Sequence, residues 1–393
     1  MIDELVPSGV AFRALGDIAI TVAGLSGKSK SDFSEGSARY VSYKNAFANL
    51  SVDQFAEDFV KVRDGEKQNR LQRGDVIITG SSESLDEVGM SSVVATEPVG
   101  PLYLNSFCFA VRFADPSLLL PEFSKYLFRS DAVRTQIRRT ASGVTRINVS
   151  KPRFMKVRVP LPPLEVQLEI ARVLDEFTQR EVKLEAELAA ELNARHRQYD
   201  YYRNQLLTAD IASARIARID ELFDLRAGKF IAASAIVASP DDEHPIPCFG
   251  GGGLRGYVAT PNQSGDRVLI GRQGALCGNV KRTSGEFYAT EHSVVVTPKP
   301  GVDVSWAFHT LMSMNLNQYA SRSAQPGLAV ATLNQLQTAA PPLNEQVRVG
   351  KILDRLDSLV NDLSIRLPAE AIARRKQYEY YRDKLLTFKE AMT

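Results

Sequence analysis

Basic side chains crowd one segment of the chain. Nine lysines and arginines lie between Arg129 and Arg158, and Asp131 is the only acid among them. Such a cluster suits contact with the phosphates of a DNA duplex, which carries one negative charge per about 1.7 Å of its axis. The alternative is an ordinary solvated helix face. We predict DNA contacts from six members of this basic cluster: Arg134, Arg138, Arg139, Arg146, Lys151 and Arg153.

A second, more dispersed set of basic residues lies downstream among glycines, which let a backbone approach a ligand closely. Arg272 and Gln273 carry the side chains best suited to bidentate hydrogen bonds with guanine and adenine. The alternative is a polar hairpin loop that binds nothing. The DNA contacts predicted in this region are Arg255, Tyr257, Arg272, Gln273, Lys281 and Arg282.

Signals for catalysis or metal binding are weak. The segment FGGGG at 249–253 superficially resembles a methyl-donor loop, but it lacks a clear preceding strand and following helix. The GKS at 27–29 lacks the first glycine of a phosphate loop, because Val22 stands at that position. The four histidines do not have metal-ligand spacing. We therefore predict no catalytic residue, no metal site and no cofactor bound by this chain.

The composition indicates a folded cytoplasmic protein. Apolar residues at 44% and charged residues at 24% are close to globular averages, and a net charge of +2 does not by itself identify a nucleic-acid binder. Three widely separated cysteines, Cys108, Cys248 and Cys277, fit a reducing compartment. No apolar run reaches the length of about 18 residues needed to span a bilayer, so we expect no membrane contact.

The elements that must position these side chains are revealed by an internal repeat. Residues 198–208 read QYDYYRNQLLT and residues 377–387 read QYEYYRDKLLT, which are identical at eight of eleven positions. The same offset of 179 residues superimposes PPLEVQ at 162–167 on PPLNEQ at 341–346. The chain therefore contains two copies of one unit, each a variable globular part followed by a strongly retained segment.

Each retained segment predicts a long helix. Residues 164–207 contain no proline or glycine, and apolar residues recur at spacings of three and four in both copies, as in a coiled-coil seam. We expect helices over about 162–208 and 341–388, entered through Pro-Pro pairs and running antiparallel to each other. Pro368 predicts a kink or a break in the second helix.

The variable parts predict mixed α/β domains. β-rich runs at 76–79, 268–270 and 293–296 stand among glycines and serines, and each part ends in a predicted helical stretch, Leu118–Arg139 or Val304–Tyr319. The predicted fold class is α/β (α+β), with two domains separated by two long antiparallel helices that form a coiled coil with a pseudo-two-fold repeat. The predicted boundaries are 1–160, 161–208, 209–340 and 341–393 for first domain, central helix, second domain and C-terminal helix.

These motifs resemble the specificity subunits of Type I restriction-modification enzymes, the HsdS family. The resemblance rests on PPL-x-x-Q, the LD pairs at 174–175 and 353–354, and QY-[DE]-YYR-x-x-LLT, repeated after two dissimilar domains. AELAAEL at 186–192 is similar to spacer repeats of one branch of the family. The resemblance covers nearly the whole chain. The first domain departs from the second, because SES at 82–84 lies near where the second has RQG at 272–274.

The resemblance implies a non-catalytic subunit whose two target-recognition domains each read half of a bipartite site in double-stranded DNA. The helices would set the spacing and dock two methyltransferase subunits, which would bind S-adenosylmethionine, and motor-nuclease subunits would bring ATP and Mg²⁺. Alternatively, the repeated tyrosines pack the end of each helix against the neighbouring domain and bind no partner. The predicted docking residues are Tyr199, Tyr202, Arg203, Leu206, Tyr378, Tyr381, Arg382 and Leu385.

Two other functions are compatible with parts of the sequence. The chain could be a self-contained DNA methyltransferase or nuclease, but no (N/D)PP(Y/F) loop is present, since Leu161 and Ala340 precede the two Pro-Pro pairs. It could also be a coiled-coil interaction protein that never touches DNA. Salt-dependent DNA binding would distinguish this last possibility from the predicted function.

Overall fold

The computed structural model describes residues 6–34, 36–208, 214–322 and 325–391. The chain divides into two compact units: unit 1 comprises Met1–Ala186 with Glu370–Thr393, and unit 2 comprises Glu187–Ala369. Both dividing points lie inside the long helices. Each unit therefore contains one globular part and one portion of each long helix.

The secondary structure follows the repeat. The strands of unit 1 are β1 (Ala11–Ala14), β2 (Ala19–Ala23), β3 (Ala38–Val41), β4 (Phe59–Val60), β5 (Val76–Thr79), β6 (Ser81–Ser82), β7 (Ser91–Val93), β8 (Leu102–Leu104), β9 (Cys108–Phe113), β10 (Ala141–Ser142), β11 (Ile147–Val149) and β12 (Arg158–Leu161). Those of unit 2 are β13 (Arg215–Arg218), β14 (Phe223–Ala227), β15 (Ile246–Gly250), β16 (Gly253–Val258), β17 (Gln263–Ser264), β18 (Arg267–Gly271), β19 (Val280–Thr283), β20 (Glu286–Ala289), β21 (Ser293–Pro298) and β22 (Gln337–Ala340). The α-helices are α1 (Leu15–Ile18), α2 (Lys30–Ser34), α3 (Tyr43–Ala48), α4 (Pro121–Leu127), α5 (Asp131–Thr140), α6 (Lys151–Phe154), α7 (Leu164–Thr208), α8 (Ile219–Leu222), α9 (Val304–Ser313), α10 (Val330–Gln335) and α11 (Leu343–Leu385).

The two globular parts share one sheet plan. In unit 1 an antiparallel sheet has the order β2-β9-β5-β7, and in unit 2 the order is β14-β21-β18-β19. A second sheet in each unit contains one parallel pair, β3 with β8 or β15 with β20. The strand that enters each unit pairs with the strand that precedes its long helix, as β1 with β12 and β13 with β22. The repeat therefore extends through the globular parts, where sequence similarity fades.

The central strands are buried on both faces. In β5, Val76 and Ile78 join the main core of unit 1, while Ile77 points into a second cluster on the other face. Successive strand side chains alternate between faces, and β-branched residues pack well on such surfaces. In β18 of unit 2, Val268 and Ile270 alternate with Leu269 in the same manner. The strands predicted at 76–79, 268–270 and 293–296 are confirmed.

The single helical stretch predicted over Leu118–Arg139 is wrong, because the segment forms two helices, α4 and α5, with a break from Phe128 to Ser130. The stretch predicted over Val304–Tyr319 likewise ends as an α-helix at Ser313 and continues as a 3₁₀ turn over Leu316–Tyr319.

The long helices α7 and α11 confirm the predicted pair, and they run antiparallel within each unit. In unit 1 the Thr178 hydroxyl lies 3.2 Å from the Tyr378 hydroxyl, and three residues further along α7, Glu181 faces Arg375. In unit 2 His196 lies 3.5 Å from Ser364. Helix α11 is continuous through Pro368, so the expected break there does not occur.

A repeated glutamine ties each long helix to its own unit. Gln167 is fully buried, and its amide oxygen accepts from the backbone N–H of Leu120 at 2.9 Å. Its amide nitrogen donates to the carbonyls of Leu118 and Pro162, both at 2.9 Å. One side chain therefore satisfies three buried backbone groups at the start of α7.

Gln346 repeats this arrangement in unit 2. Its amide oxygen accepts from Asp303 N–H at 2.9 Å, and its amide nitrogen donates to the carbonyls of Pro341 at 2.8 Å and Gly301 at 3.5 Å. The PPL-x-x-Q motif is thus a structural clamp. The glutamine was visible in the sequence as part of the repeated PPL-x-x-Q motif, but we predicted no role for it.

Candidate nucleic-acid interface

A loop and a hairpin meet at one edge of unit 1. Residues 80–90 connect β5 to β7 and include β6, which pairs with β11 through Ser81 opposite Asn148. Arg146 precedes β11; its guanidinium donates to the Ser81 hydroxyl at 3.1 Å and lies 5.0 Å from the centre of the Phe107 ring. Val144, at the tip of the β10–β11 hairpin, is 96% exposed. This edge presents cationic, aromatic and aliphatic groups together.

Four of the six predicted DNA contacts of the basic cluster lie on the surface of unit 1. Arg139, Arg146, Lys151 and Arg153 are exposed. Arg153 donates to the Arg139 carbonyl at 2.8 Å, and the Lys151 ammonium lies 5.3 Å from the centre of the Phe109 ring. Lys151 also lines a cavity with Arg146 and Phe107, which places it beside the hairpin.

Arg134 is a correction to the predicted phosphate contacts. It is only 6% exposed, and its guanidinium donates to the carbonyls of Val88 at 2.9 Å and Asp86 at 2.7 Å. Burial lowers the pKa of Arg134 to about 10, which still leaves it cationic at neutral pH. Arg138, half-buried, lies 3.4 Å from both Asp86 and Asp131. Arg134 therefore supports the loop from inside.

Arg129, in the same basic cluster, also points into the unit. Its guanidinium donates to the carbonyls of Ser91, Phe47 and Asn49 at 2.8 to 2.9 Å. Burial lowers the pKa of Arg129 to about 10. A count of basic residues along the sequence does not distinguish these buried guanidinium groups from exposed ones.

In unit 2 the glycine-rich segment is a hairpin turn between β15 and β16. A Cβ atom on Gly271 would lie 2.1 Å from the Gly251 carbonyl oxygen, so the turn and the end of β18 pack backbone to backbone. Gly253 has φ +112°, a conformation that side chains disfavour. Because the segment leads from one strand into another, it does not form the strand-turn-helix expected of a methyl-donor loop.

The predicted contacts of unit 2 lie on β16, β19 and the loop after β18. Arg255 and Lys281 are exposed, and Tyr257 and Arg272 are half-buried. Gln273 is exposed, and its amide oxygen lies 2.6 Å from Nδ1 of His292. Three of the six predicted contacts of unit 2 are therefore exposed to solvent, namely Arg255, Gln273 and Lys281.

Arg282 is the correction in unit 2. Its guanidinium donates to Asp266 at 2.6 and 3.0 Å and to Asp354 at 3.1 and 3.3 Å, and also to the Ser305 hydroxyl at 2.9 Å. The hydrogen bonds with Asp266 raise the pKa of Arg282. Its donors are occupied by partners within the unit, so a phosphate would have to displace two carboxylates.

Asp354 lies at the centre of a partly buried polar cluster that includes the first repeated tyrosine of unit 2. It accepts from Ser305 at 2.7 Å and lies 2.9 Å from Nε2 of His309. The other ring nitrogen, Nδ1, lies 2.9 Å from the Tyr199 hydroxyl. Burial lowers the pKa of His309 and raises that of Tyr199 to about 12. Although burial opposes ionisation of Asp354, hydrogen bonds from Ser305 and His309 keep its pKa lowered.

The equivalent cluster of unit 1 uses Asp175. Lys125 donates to this carboxylate at 2.5 Å and the Tyr126 hydroxyl donates at 2.6 Å. Thr178 lies 3.2 Å from both the Tyr126 and the Tyr378 hydroxyls. Tyr378 therefore occupies in unit 1 the place that Tyr199 has in unit 2. The repeated LD pair and the first tyrosine of each QY motif are linked by structure.

Two of the eight predicted docking residues, Tyr199 and Leu385, are buried, and the other six stay a prediction. Tyr199 is 6% exposed and Leu385 7% exposed, and both lie in the interior of their units. Tyr378 and Leu206 are partly buried against the cores. The alternative weighed for the repeated tyrosines, packing of the helix ends, therefore applies to these positions.

The following tyrosines of each motif remain on the surface. Tyr201 and Tyr202 are 60% and 43% exposed, and Tyr380 and Tyr381 are 62% and 42% exposed. In each pair the rings meet edge to face, with centroids 5.5 and 5.3 Å apart. The neighbouring arginines are half-buried, and Arg203 forms an ion pair with Asp200 and Arg382 with Asp383. Arg203 and Arg382 belong to the predicted docking residues. We call Tyr201–Tyr202 and Tyr380–Tyr381 the tyrosine pairs.

Within the described ranges, no group of three or more His, Cys, Asp or Glu side chains is arranged to hold a metal ion. None of the helices traced in those same ranges is long and apolar enough to cross a membrane.

Comparisons with known proteins match this architecture. The family described as Type I restriction modification DNA specificity domain matches residues 7–194 and 215–371. The specificity subunit of the Type I restriction enzyme EcoprrI from Escherichia coli is 46% identical over 220 residues, which cover 54% of this chain and 55% of that protein. The EcoR124I/EcoR124II specificity subunit from Escherichia coli is 27% identical over 297 residues, covering 61% and 64%. The match thus spans between half and two thirds of these relatives.

Solved structures share the fold at low identity. The HsdS subunit from Thermoanaerobacter tengcongensis aligns with a TM-score of 0.60 at 18% identity, covering 98% of this chain and 99% of that one. A chain from a structural study of complex assembly and conformational transition of the type I R-M system aligns with a TM-score of 0.72 at 16% identity, covering 96% and 97%. Because the family match includes both units and most of the long helices, the chain belongs to the Type I restriction modification DNA specificity domain family.

Proposed function

We propose that the chain is the DNA-recognition subunit of a cytoplasmic Type I restriction-modification enzyme and carries no catalytic centre. Each unit reads one half of a bipartite target in double-stranded DNA. The observation that carries this proposal is the pair of units with one sheet plan, each presenting a loop after its central strand beside exposed basic side chains. Two similar scaffolds with dissimilar loops suit the reading of two different half-sites.

Phosphate contacts would position each unit on the duplex and loop side chains would read the bases. In unit 1 the phosphate contacts are Arg139, Lys151 and Arg153, and in unit 2 they are Arg255 and Lys281. These side chains are exposed. Arg272 and Gln273 supply base contacts from unit 2, since their side chains match guanine and adenine edges.

The helical ends would dock partner subunits. Each tyrosine pair offers a methyltransferase subunit an exposed aromatic surface, and aromatic side chains of this kind often dominate binding energy at protein interfaces. Two equivalent surfaces on one chain correspond to two methyltransferase subunits. These subunits would bind S-adenosylmethionine, and motor-nuclease subunits would supply ATP-driven cleavage with Mg²⁺. The long helices α7 and α11 would set the spacing between half-sites.

Mapping methylated adenines in a host with and without this gene, in the presence of its methyltransferase subunit, tests the proposal. The expected result is a methylated bipartite sequence that disappears when the gene is deleted. Methylation that persists without the gene would contradict the recognition role. Methyl transfer by the isolated chain would contradict the absence of a catalytic centre.

A further inference from the structure

The two units carry opposite chemistry at one equivalent position. The loop after β5, residues 80–90, contains three carboxylates, Glu83, Asp86 and Glu87, and no lysine or arginine. The loop after β18, residues 272–279, contains one arginine and no carboxylate. Each loop pairs with the segment that precedes a short helix, α6 or α10, as Ser81 with Asn148 in unit 1 and Gln273 with Gly327 in unit 2. The loops are therefore equivalent in position and different in charge.

The loop of unit 1 borders an open cavity of about 570 Å³. Its aromatic walls are Tyr43 and Phe47, which stack with centroids 6.1 Å apart, and Phe107, which is 53% exposed. Glu83 and Glu87 line the same cavity, and so does Arg146. The cavity therefore combines flat apolar surfaces with hydrogen-bond acceptors.

Hydrogen bonds hold this loop in place before any ligand binds. The Tyr43 hydroxyl donates to the Ser81 carbonyl at 2.9 Å, and Arg146 donates to the Ser81 hydroxyl at 3.1 Å. Arg134 fixes the other end of the loop through the Asp86 and Val88 carbonyls. A loop supported from both ends can present a side chain at a defined position.

Glu83 is the carboxylate of this loop that is free to accept a ligand. Glu87 accepts from the Ser82 hydroxyl at 3.3 Å, and Asp86 faces Arg138. In the part of the chain that the structure describes, Glu83 is exposed and makes no hydrogen bond or ion pair. A carboxylate accepts hydrogen bonds only, so its ligand must donate.

The charge of the cavity disfavours a phosphate as that ligand, because two carboxylates and only one arginine line it. The exocyclic amino groups of cytosine and adenine are the donors that a duplex offers in its major groove, and Asp and Glu accept from cytosine N4. Lys151 lines a neighbouring cavity that shares Phe107 and Arg146 with this one, and its ammonium group would attract a phosphate backbone. The arrangement fits a base edge at the carboxylate and a backbone at the basic cluster.

We propose that Glu83 determines specificity in unit 1 by accepting a hydrogen bond from the exocyclic amino group of a cytosine or an adenine. Phe107, which lines the same cavity, offers apolar surface that fits a thymine methyl group. The inference rests on the proposed function of the chain. It assigns a base-reading residue to unit 1, whose loop has no arginine equivalent to Arg272 of unit 2. Unit 1 thus selects amino-bearing bases, and unit 2 selects purine edges through Arg272.

The test uses the full chain in complex with its methyltransferase subunits, after the target sequence of the wild type has been mapped. Duplex affinity is measured for wild type, Glu83→Ala and the matched control Glu97→Ala, which changes another exposed carboxylate of unit 1. Each cytosine or adenine of the target is replaced in turn by an analogue that lacks the amino group. Wild type should lose about 5- to 100-fold at one position.

Glu83→Ala should bind the natural duplex more weakly by the same factor and lose nothing further with that analogue, while Glu97→Ala behaves like wild type. Arg272→Ala should weaken selection in the opposite half of the target. Unchanged affinity and an unchanged methylated sequence in Glu83→Ala would overturn the inference and leave the recognition role intact. Absence of target binding by the wild-type complex would instead overturn the recognition role.

Discussion

Gln167 and Gln346 make the same three hydrogen bonds in their own units, although 179 residues separate them in the chain. Each joins the carbonyl of the first proline of a Pro-Pro pair to a turn that precedes α4 or α9. The segment that begins each long helix is therefore fixed to the globular part from which the helix emerges.

Replacing Gln167 by alanine should lower the free energy of unfolding by about 2 to 4 kcal/mol, because three buried backbone groups lose their partner. Urea unfolding of the full chain measures the change. Gln179→Ala removes an exposed glutamine from the same helix and should change stability by less than about 0.5 kcal/mol. Equal effects of the two substitutions would contradict the clamp.

Acid should destabilise unit 2 through His309. Burial lowers its pKa, whereas in the unfolded chain a histidine protonates near its ordinary value of 6.5. The unfolded state therefore binds more protons as pH falls below about 6.5, and stability present above that pH is lost. Between pH 7.5 and 5.5 wild type should lose up to about 1.4 kcal/mol more than His309→Gln. The lowered pKa of Asp354 contributes only below about 4.

Thermal unfolding at pH 7.5 and 5.5 measures this difference. His196→Gln removes an exposed histidine of the same unit and should keep the acid sensitivity of wild type. Identical acid sensitivity in wild type and His309→Gln would show that His309 does not resist protonation in the folded state.

Lys151→Ala and Arg153→Ala should weaken DNA binding uniformly across sequences. Each change removes one phosphate contact, so the slope of log affinity against log salt should become shallower by about 1. Fluorescence anisotropy measures the affinity of the complex for DNA at salt concentrations between about 50 and 200 mM, where log affinity falls linearly with log salt. Arg158→Ala is the control, since Glu390 already binds that guanidinium at 2.6 Å. Arg158→Ala should keep the wild-type slope. A wild-type slope in Lys151→Ala and Arg153→Ala as well would rule out these contacts.

Double replacement of Tyr201 and Tyr202 by alanine should reduce the number of bound methyltransferase subunits from two to one, and replacement of Tyr380 and Tyr381 should do the same. Light scattering after size-exclusion chromatography gives the stoichiometry. Tyr319→Ala changes an exposed tyrosine of unit 2 outside the tyrosine pairs and should leave two subunits bound. Retention of both subunits by the double variants would move the docking site elsewhere.

Inserting four residues near Ala189 adds about 6 Å to α7, nearly two base-pair steps. The methylated sequence should then contain a longer spacer between unchanged half-sites. A spacer of the original length would mean that the helix does not set it.

The periodic parts of the fold could be predicted from the sequence, whereas strand pairing could not. Apolar spacing identified α7 and α11, because a long helix is encoded by neighbouring residues. The order β2-β9-β5-β7 depends on contacts between distant segments, for which the sequence contains no local signal. Pro368 shows the limit of a local rule, since the helix continues through it.

The candidate site was predictable as a region and not residue by residue. Arg134 and Arg139 look alike in the sequence, but one faces the core of unit 1 and the other faces solvent. Both arginines lie on α5, a helix of ten residues that the sequence predicted only as part of one longer stretch, so its buried face could not be assigned residue by residue. Likewise, the repeat identified Tyr199 and Tyr378 as equivalent. Repetition did not show whether they bind partners or make the same contact inside each unit, which is what the structure shows.

The placement of Asp175 and Asp354 bears on how such proteins can be recombined. Asp175 lies on α7 and binds Tyr126, which in turn is linked to Tyr378 on α11, so the interchangeable piece is discontinuous in the gene. A chimaera that replaces only the stretch before α7 would pair foreign and resident members of this cluster. Crossovers near 186 and 369 would transfer the complete cluster, so functional hybrids with new targets should have their junctions in the middle of the helices.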